Sequence, residues 1–136
     1  MYLIDTSIWI DYFRETKNSS IKEFSHILEN NLPYAINSII YQEILQGAAT
    51  ENDFNRLKTY LITQRFFHLK NKIVSYEAAA MLYFQCRYKG ITVRSTIDCL
   101  IAQTALENNL ILLHNDRDYC QIQSIIPDLQ LLPNKL

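Results

Sequence analysis

The sequence predicts an α/β fold, a three-layer α/β/α sandwich around a short, mostly parallel central sheet. Short apolar runs of strand length alternate along the chain with longer segments whose apolar residues recur every three to four positions. The run Leu110–Leu113 is apolar throughout, which is typical of a strand buried on both faces of a parallel sheet. The chain has 136 residues, of which 49% are apolar and only two are glycine. We therefore expect a single domain over residues 1–136 with one core.

The predicted elements of the first half begin at capping residues and end at helix breakers. Thr6 and Ser7 supply N-cap chemistry for the first helix, and the Asn37-Ser38 pair does so for the third. Asn30-Asn31 ends the second helix, and Pro33 leads into the next strand. The expected elements are a strand at 2–5, a helix to about Arg14, a helix from Ser20, a strand at Tyr34–Ile36, a helix to about Gly47, a helix from about Asp53 to Thr63, and a strand at Phe66–Leu69.

The second half continues this alternation. Gly90 is placed to close a long helix, because a residue with a left-handed backbone commonly follows the last helical turn. Strands separated by helical segments indicate a parallel sheet with helices on both sides. The expected elements are a helix at Lys72–Lys89, a helix at Ser95–Glu107, a strand at Leu110–Leu113, a turn with a short helix at Asp116–Tyr119, and a strand at Leu129–Leu132.

Four acidic residues stand at the ends of, or inside, separate hydrophobic segments. Asp5 ends the first strand and Asp116 follows the strand at Leu110–Leu113, and the carboxyl ends of parallel strands share one edge of the sheet. Asp98 lies near a helix N-terminus, where the helix dipole favours a carboxylate. Glu43 has apolar neighbours, among which a carboxylate is costly unless it is paired or binds metal. Converging carboxylates repel one another and usually need a divalent cation, so the pattern indicates a metal-dependent enzyme acting on phosphates.

Each acid also has a purely structural explanation. Asp5 serves equally well as a helix cap, and Asp98 as part of a capping box with Ser95. Glu43 fits an ordinary exposed helix position, and Asp116 fits a turn. A coincidence of all four in one small α/β chain is harder to accept than any one of these alternatives.

Charge and cysteine content narrow the class of protein further. The net charge is −1, but the four acids and Asp118 account for five of the 14 acidic residues, leaving nine against 13 Lys and Arg. If metal neutralises that cluster, the remaining surface is positive, although a solvated charged surface explains the basic residues as well. The three cysteines form no CxxC pair, and no signal peptide or membrane span is recognisable. We expect a cytoplasmic protein with reduced thiols.

Several short segments together resemble the motifs of PIN-domain nucleases, and more narrowly those of VapC-type toxins of VapBC toxin–antitoxin modules. They are Asp5-Thr6-Ser7, Glu43, Asp98–Ala102 and Asn115–Tyr119, and the similarity extends over essentially the whole chain. The resemblance implies a PIN fold and Mg²⁺- or Mn²⁺-dependent endoribonuclease activity, with tRNA or rRNA as the expected substrate. It also implies an antitoxin partner, usually a homodimer, and contact with DNA only through the antitoxin.

The resemblance assigns roles to individual residues. Asp5 and Asp98 are the expected principal metal anchors, and Glu43 and Asp116 complete a catalytic and metal-binding set that activates water. Asp118 is kept as an alternate for Asp116, because family members differ in which position carries the last acid.

Other residues are expected to support the site. Thr6, Ser7 and Thr96 are the expected hydroxyl partners, although helix capping explains them equally well. Arg94 and Arg117 are candidates for substrate phosphates, with structural ion pairs as the alternative. His114 is expected to pack rather than to catalyse.

Two other functional classes stay open. In one, a PIN-like module acts with an antitoxin as a DNA-bound repressor complex and has little or no nuclease activity. The other is a phosphatase-type α/β domain, which needs an acid beside Asp5 and a late lysine; the chain has no adjacent acid and only Lys135 in its tail. The aromatic run from Tyr83 to Tyr88 indicates close helix packing or a dimer face, and an apolar groove over 39–66 is suited to an antitoxin helix. Core packing is the preferred role for Trp9 and Tyr119, with base stacking as the alternative.

Overall fold

The computed structural model describes residues 1–134, so Lys135 lies outside the described residues. Seven helices and four strands alternate along this range, which confirms the predicted α/β class. The elements are β1 (Tyr2–Ile4), α1 (Thr6–Phe13), α2 (Ser19–Glu29), β2 (Tyr34–Ala35), α3 (Ser38–Gln46), α4 (Glu51–Leu61), α5 (Ile73–Tyr88), α6 (Thr96–Glu107), β3 (Ile111–Leu113), α7 (Arg117–Ile125) and β4 (Gln130–Leu132).

The four strands form one sheet in the order β2-β1-β3-β4, and every pairing is parallel. Leu3 of β1 lies opposite Ala35 of β2 on one side and Leu112 of β3 on the other. Leu3 and Leu112 are completely buried, as expected for the central strands of a parallel sheet. Because all strands run the same way, the residues that follow β1 and β3 emerge at one edge of the sheet.

The helices begin where short polar side chains can accept backbone N–H groups. Asp5, Asn18, Asn37, Thr50, Ser95 and Asp116 each cap one helix in this way. The helices pack in two groups, α1–α4 and α5–α7, which α3 and α6 join. The core between helices and sheet includes the fully buried side chains of Trp9, Phe24 and Ile101, so Trp9 has the packing role that we preferred.

Two predicted elements differ from the structure. The segment Phe66–Leu69 forms no strand and makes a single parallel bridge, between Phe66 and Ile36. Pairing stops there because the following backbone turns away: Lys70 N–H donates to the Glu107 carboxylate at 3.3 Å, and Lys72 has a φ of 49°. The short helix predicted at Asp116–Tyr119 instead continues as α7 to Ile125, because Tyr119 and Ile122 lie on the same buried face.

Within residues 1–134, no helix combines the length and the apolar character that crossing a membrane requires.

Candidate metal centre

Asp5 leaves the carboxyl end of β1 and at once caps α1. Its backbone N–H donates to the Leu113 carbonyl at 3.0 Å, which fixes it beside β3. Oδ2 accepts the Ser7 backbone N–H at 3.1 Å and the Ser7 hydroxyl at 2.6 Å, and Oδ1 accepts the Tyr119 hydroxyl at 2.7 Å. Asp5 is therefore a helix cap, yet Oδ1 keeps a lone pair for a further partner. Ser7 Oγ in turn accepts the Asn115 backbone N–H at 3.2 Å, so the loop after β3 is tied to this cap.

Asp116 and Asp118 are held by the first turn of α7 and by Arg94. Asp116 caps the helix, and its Oδ1 accepts the Asp118 N–H at 2.9 Å. Asp118 Oδ2 accepts the backbone N–H and the Nε of Arg94 at 3.1 and 3.3 Å, and Arg94 Nη2 reaches Asp116 Oδ1 at 3.1 Å. Asp118 is buried, whereas 71% of the Arg94 side chain is exposed. Arg94 therefore forms structural ion pairs with Asp116 and Asp118, the alternative that we expected for it.

Asp98 completes a compact cluster of acids. It lies in the first turn of α6, and one carboxylate oxygen from each of Asp98, Asp116 and Asp118 fits within 4.8 Å of the others. Ser95 caps α6 by accepting the N–H of Ile97, so the cap does not depend on Asp98. The carboxylate of Asp98 instead lies 3.4 Å from the Tyr119 hydroxyl.

Glu43 reaches the same region from the middle of α3. Its Oε1 accepts the Thr6 hydroxyl at 2.7 Å. Burial raises the pKa of Glu43, the charge of Asp5 adds to the rise, and the hydrogen bond from Thr6 opposes it. Because Thr6 directly follows Asp5, this hydrogen bond brings the Glu43 carboxylate to the end of β1 at which Asp5 lies.

Burial and the repulsion among the acids both raise the pKa of Asp98. Burial raises the pKa of Asp98 to about 7, and the negative charges of Asp116, Asp5 and Asp118 contribute in that order. Such a carboxyl is destabilised when ionised and gains most from a nearby cation. The donor set consists of carboxylate oxygens, which suits Mg²⁺ or Mn²⁺ rather than soft metals. Cys99, the residue after Asp98, is buried, and burial raises the pKa of its thiol to about 12.

Tyr119 is the functional residue that sequence reasoning placed in the core without assigning it a polar role. It is 1% exposed, and its hydroxyl lies between Asp5 Oδ1 and Asp98 Oδ1. Burial raises the pKa of this phenol well above its usual range, and the charges of Asp5 and Asp98 raise it further, so it stays protonated as a donor. The ring packs edge-on against His114 with centroids 5.3 Å apart. The signal in the sequence was an aromatic residue with a hydroxyl, three positions after Asp116 and directly after Asp118.

His114 has the packing role that was expected. It is completely buried, and burial lowers its pKa. Nδ1 lies 3.1 Å from the Asp116 backbone N–H and Nε2 lies 2.9 Å from the Pro133 carbonyl, which assigns the neutral tautomer with the proton on Nε2. Both ring nitrogens therefore form hydrogen bonds with backbone groups.

Two predicted supporting residues form no side-chain hydrogen bond or ion pair with the acids within residues 1–134. Thr96 is exposed, and among residues 1–134 its hydroxyl forms no hydrogen bond to the acids. Its nearness to Asp98 in sequence does not bring the two side chains together, because residues two positions apart in a helix point about 200° apart around the axis. Arg117 is also exposed, and in the described range it forms no ion pair with the neighbouring acids.

Comparisons with known proteins bear on the family and the fold of the chain. A family model described as PIN domain matches residues 2–124. Ribonuclease VapC11 of Mycobacterium tuberculosis is 36% identical over 126 residues, covering 92% of this chain and 93% of that protein. The structure of VapBC2 from Rickettsia felis bound to a promoter DNA fragment contains a similar fold, with a TM-score of 0.72 at 22% identity over 96% of both chains. A toxin–antitoxin complex from Klebsiella pneumoniae matches with a TM-score of 0.67 at 25% identity over the whole of both chains.

Proposed function

The chain belongs to the PIN-domain family, and on that premise we propose that residues 1–136 act as one metal-dependent endoribonuclease domain, the toxin of a type II toxin–antitoxin pair in the cytoplasm. The observation that carries this proposal is the cluster of Asp98, Asp116 and Asp118, joined to Asp5 through Tyr119. Relatives named as VapC ribonucleases support the same activity.

The residues proposed to hold Mg²⁺ or Mn²⁺ are Asp5, Asp98, Asp116 and Glu43, with Asp118 as the alternate to Asp116. When bound, such an ion withdraws charge from the phosphate and acidifies water. The protein's own part is to present carboxylates in fixed orientations. Ser7 and Tyr119 fix both oxygens of Asp5, and Thr6 fixes Glu43.

Arg94 is proposed to bind a substrate phosphate while staying tethered to the acids. Its Nε and one Nη face Asp118 and Asp116, and most of the side chain remains open to solvent. A guanidinium has five N–H donors, so donors are left for a phosphate oxygen. Arg117, exposed at the start of α7, is the second phosphate candidate.

A VapB-like antitoxin is proposed to bind a groove at the C-terminal ends of α1 and α3 and along α4. The groove has a volume of about 620 Å³ and an apolar lining that includes Phe13, Leu57 and Tyr60. Its charged lining residues are Arg14, Arg56 and Asp53, of which Arg56 pairs with Asp53 at 3.8 Å. An amphipathic helix with an acidic side chain for Arg14 fits this combination. Co-expression with a VapB-like antitoxin should give a stable complex that Leu57→Glu disrupts. Retention of the complex by that folded variant would argue against this groove.

We also propose that the chain forms a homodimer, as the family resemblance implies. Light scattering coupled to size-exclusion chromatography measures the mass directly, and a mass near 16.0 kDa at micromolar concentration would contradict it.

The activity is tested by incubating purified wild type, Asp5→Ala, Asp98→Ala and the control Asp128→Ala with tRNA and rRNA, in Mg²⁺, Mn²⁺ or EDTA. Asp128 is an exposed acid in the turn before β4. Discrete fragments are expected from wild type and from the control, and they should disappear in EDTA and in both cluster variants. Equal cleavage by all four proteins would indicate a contaminating nuclease or a different site.

A repressor module without nuclease activity is the competing function. It is supported by the promoter DNA in the structure of the Rickettsia felis relative, although that DNA belongs to that complex. Absence of cleavage by antitoxin-free wild type, with retained promoter binding by the toxin–antitoxin complex, would favour this function instead.

A further inference from the structure

Arg94 brings a positive charge of the chain itself to the candidate metal centre. It belongs to the loop before α6, and its Nε lies 3.3 Å from Asp118 Oδ2 while its Nη2 lies 3.1 Å from Asp116 Oδ1. Asp98 lies near both acids, since one carboxylate oxygen from each of the three fits within 4.8 Å of the others. Two of the acids that are proposed to hold a divalent ion therefore already pair with a cation of the protein.

The two contacts of Arg94 differ in how firmly they are held. Asp118 is 4% exposed, and its Oδ2 accepts the Arg94 backbone N–H at 3.1 Å as well as the side-chain Nε. Asp116 Oδ1 instead accepts the terminal Nη2, and the Asp116 side chain is 29% exposed. The backbone hydrogen bond is independent of side-chain rotation, and exposed side chains change rotamer rapidly. The guanidinium is therefore free to leave Asp116 while the residue stays anchored to Asp118.

The contact between Arg94 and Asp116 opposes the binding of a divalent ion in two ways. Asp116 Oδ1 accepts the Asp118 N–H at 2.9 Å in addition to Arg94 Nη2, and these two donors match its two lone pairs. The guanidinium also repels any cation held by the same carboxylates. By thermodynamic linkage, an ion in the cluster weakens the contact of Arg94 with Asp116 as much as that contact weakens the binding of the ion.

We propose that Arg94 is a built-in counter-ion, which pairs with Asp116 in the metal-free protein and releases it when a divalent ion binds. The side chain is already 71% exposed, so the released Nη2 is available to donate to a substrate phosphate. Metal binding then favours RNA binding, because it removes the carboxylate that competes with the phosphate for Arg94. This inference rests on the proposed metal-dependent function and adds a coupling between metal and substrate through one side chain.

The competition is tested by metal binding in the absence of RNA. Isothermal titration calorimetry with Mn²⁺ alone measures the Kd for wild type and for Arg94→Gln and Arg94→Met, two variants that remove the charge. Arg65→Gln is the matched control, because it changes the net charge equally. Arg65 is exposed and contacts Met1, which precedes β1 at the opposite edge of the sheet from the acids. Thermal melting in EDTA establishes that each variant is folded.

Loss of the guanidinium charge is expected to lower the Kd for Mn²⁺ roughly 3- to 10-fold, the effect of a unit charge on a nearby divalent ion under screening by salt. Arg65→Gln should bind Mn²⁺ as wild type does. In EDTA at about pH 8, Arg94→Gln should melt at a lower temperature than wild type, and saturating Mn²⁺ should narrow that difference. A purely structural contact would lower the melting temperature equally with and without the ion.

Unchanged or weaker Mn²⁺ binding by the folded Arg94 variants would overturn the inference and would mean that Arg94 holds the acids in place for the ion. An equal gain in Arg65→Gln would also overturn it, because the effect would then follow from net charge. Failure of wild type to bind Mn²⁺ would contradict both the inference and the proposed metal centre. Tighter binding by the Arg94 variants, together with RNA that no protein cleaves, would support the counter-ion and contradict the nuclease alone.

Discussion

Replacing Asp98 by asparagine is expected to stabilise the metal-free protein at neutral pH. Burial and three neighbouring acids raise the pKa of Asp98 to about 7, against 3.8 for the ordinary group. At a pH between these two pKa values, Asp98 is protonated in the folded protein and ionised in the unfolded chain. The folded state is therefore penalised progressively as the pH rises from about 4 to about 7, and the penalty is complete above that range.

The size of the effect follows from the same two values. At about 1.36 kcal/mol for each pH unit between them, the full penalty is ~4 kcal/mol. Asp98 keeps some contact with solvent, which screens the repulsion and leaves roughly 2–4 kcal/mol. Asparagine has the same shape without the charge, so the Asp98→Asn variant should melt on the order of 10 °C higher than wild type at about pH 8 in EDTA, and no higher at about pH 4.

Thermal denaturation followed by circular dichroism, across this pH range, measures the difference between the two proteins. Subtracting one curve from the other removes the titration of the remaining acids. Saturating Mg²⁺ should reverse the order, because wild type gains stability from the ion and the variant gains less. If Asp98→Asn leaves the melting temperature at pH 8 unchanged or lowers it, the carboxylates do not oppose one another and the reasoning behind the metal centre is wrong.

Three further outcomes are expected. Tyr119→Phe should weaken Mn²⁺ binding about 10- to 100-fold in isothermal titration calorimetry, because Asp5 loses the donor that orients it, while the control Tyr34→Phe should bind as wild type does. Arg94→Ala should reduce the slope of log Kd for single-stranded RNA against log salt by roughly 0.7, which is the value for one lost phosphate contact. An unchanged slope would show that Arg94 does not contact an RNA phosphate. Ile101→Ala should cost about 2–5 kcal/mol in urea unfolding, since this side chain is fully buried, whereas Ile62→Ala at a 56%-exposed position should change stability by less than about 0.5 kcal/mol.

The elements that local chemistry controls were predictable. Caps such as Asn37 and Ser95 act over two or three residues, and an apolar run such as Leu110–Leu113 indicates directly that the strand is buried. These signals were enough for the order of helices and strands and for the parallel sheet. The strand predicted at Phe66–Leu69 was wrong, because a short aromatic run has the same composition whether or not a partner strand continues beside it.

The fold class and the acids at the ends of buried segments could be predicted, because both depend on periodicity and on neighbours within a few positions. How those acids meet could not be predicted, because it depends on contacts between distant parts of the chain. Tyr119 reaches Asp5 across 114 positions, and Arg94 contacts Asp116 and Asp118 from the loop before α6. Which side chains meet across such distances depends on the order of the strands and on the rotation of α6 and α7 about their axes. A rotation of one residue, about 100°, would turn the Tyr119 hydroxyl away from the carboxylates, and no local pattern records that angle.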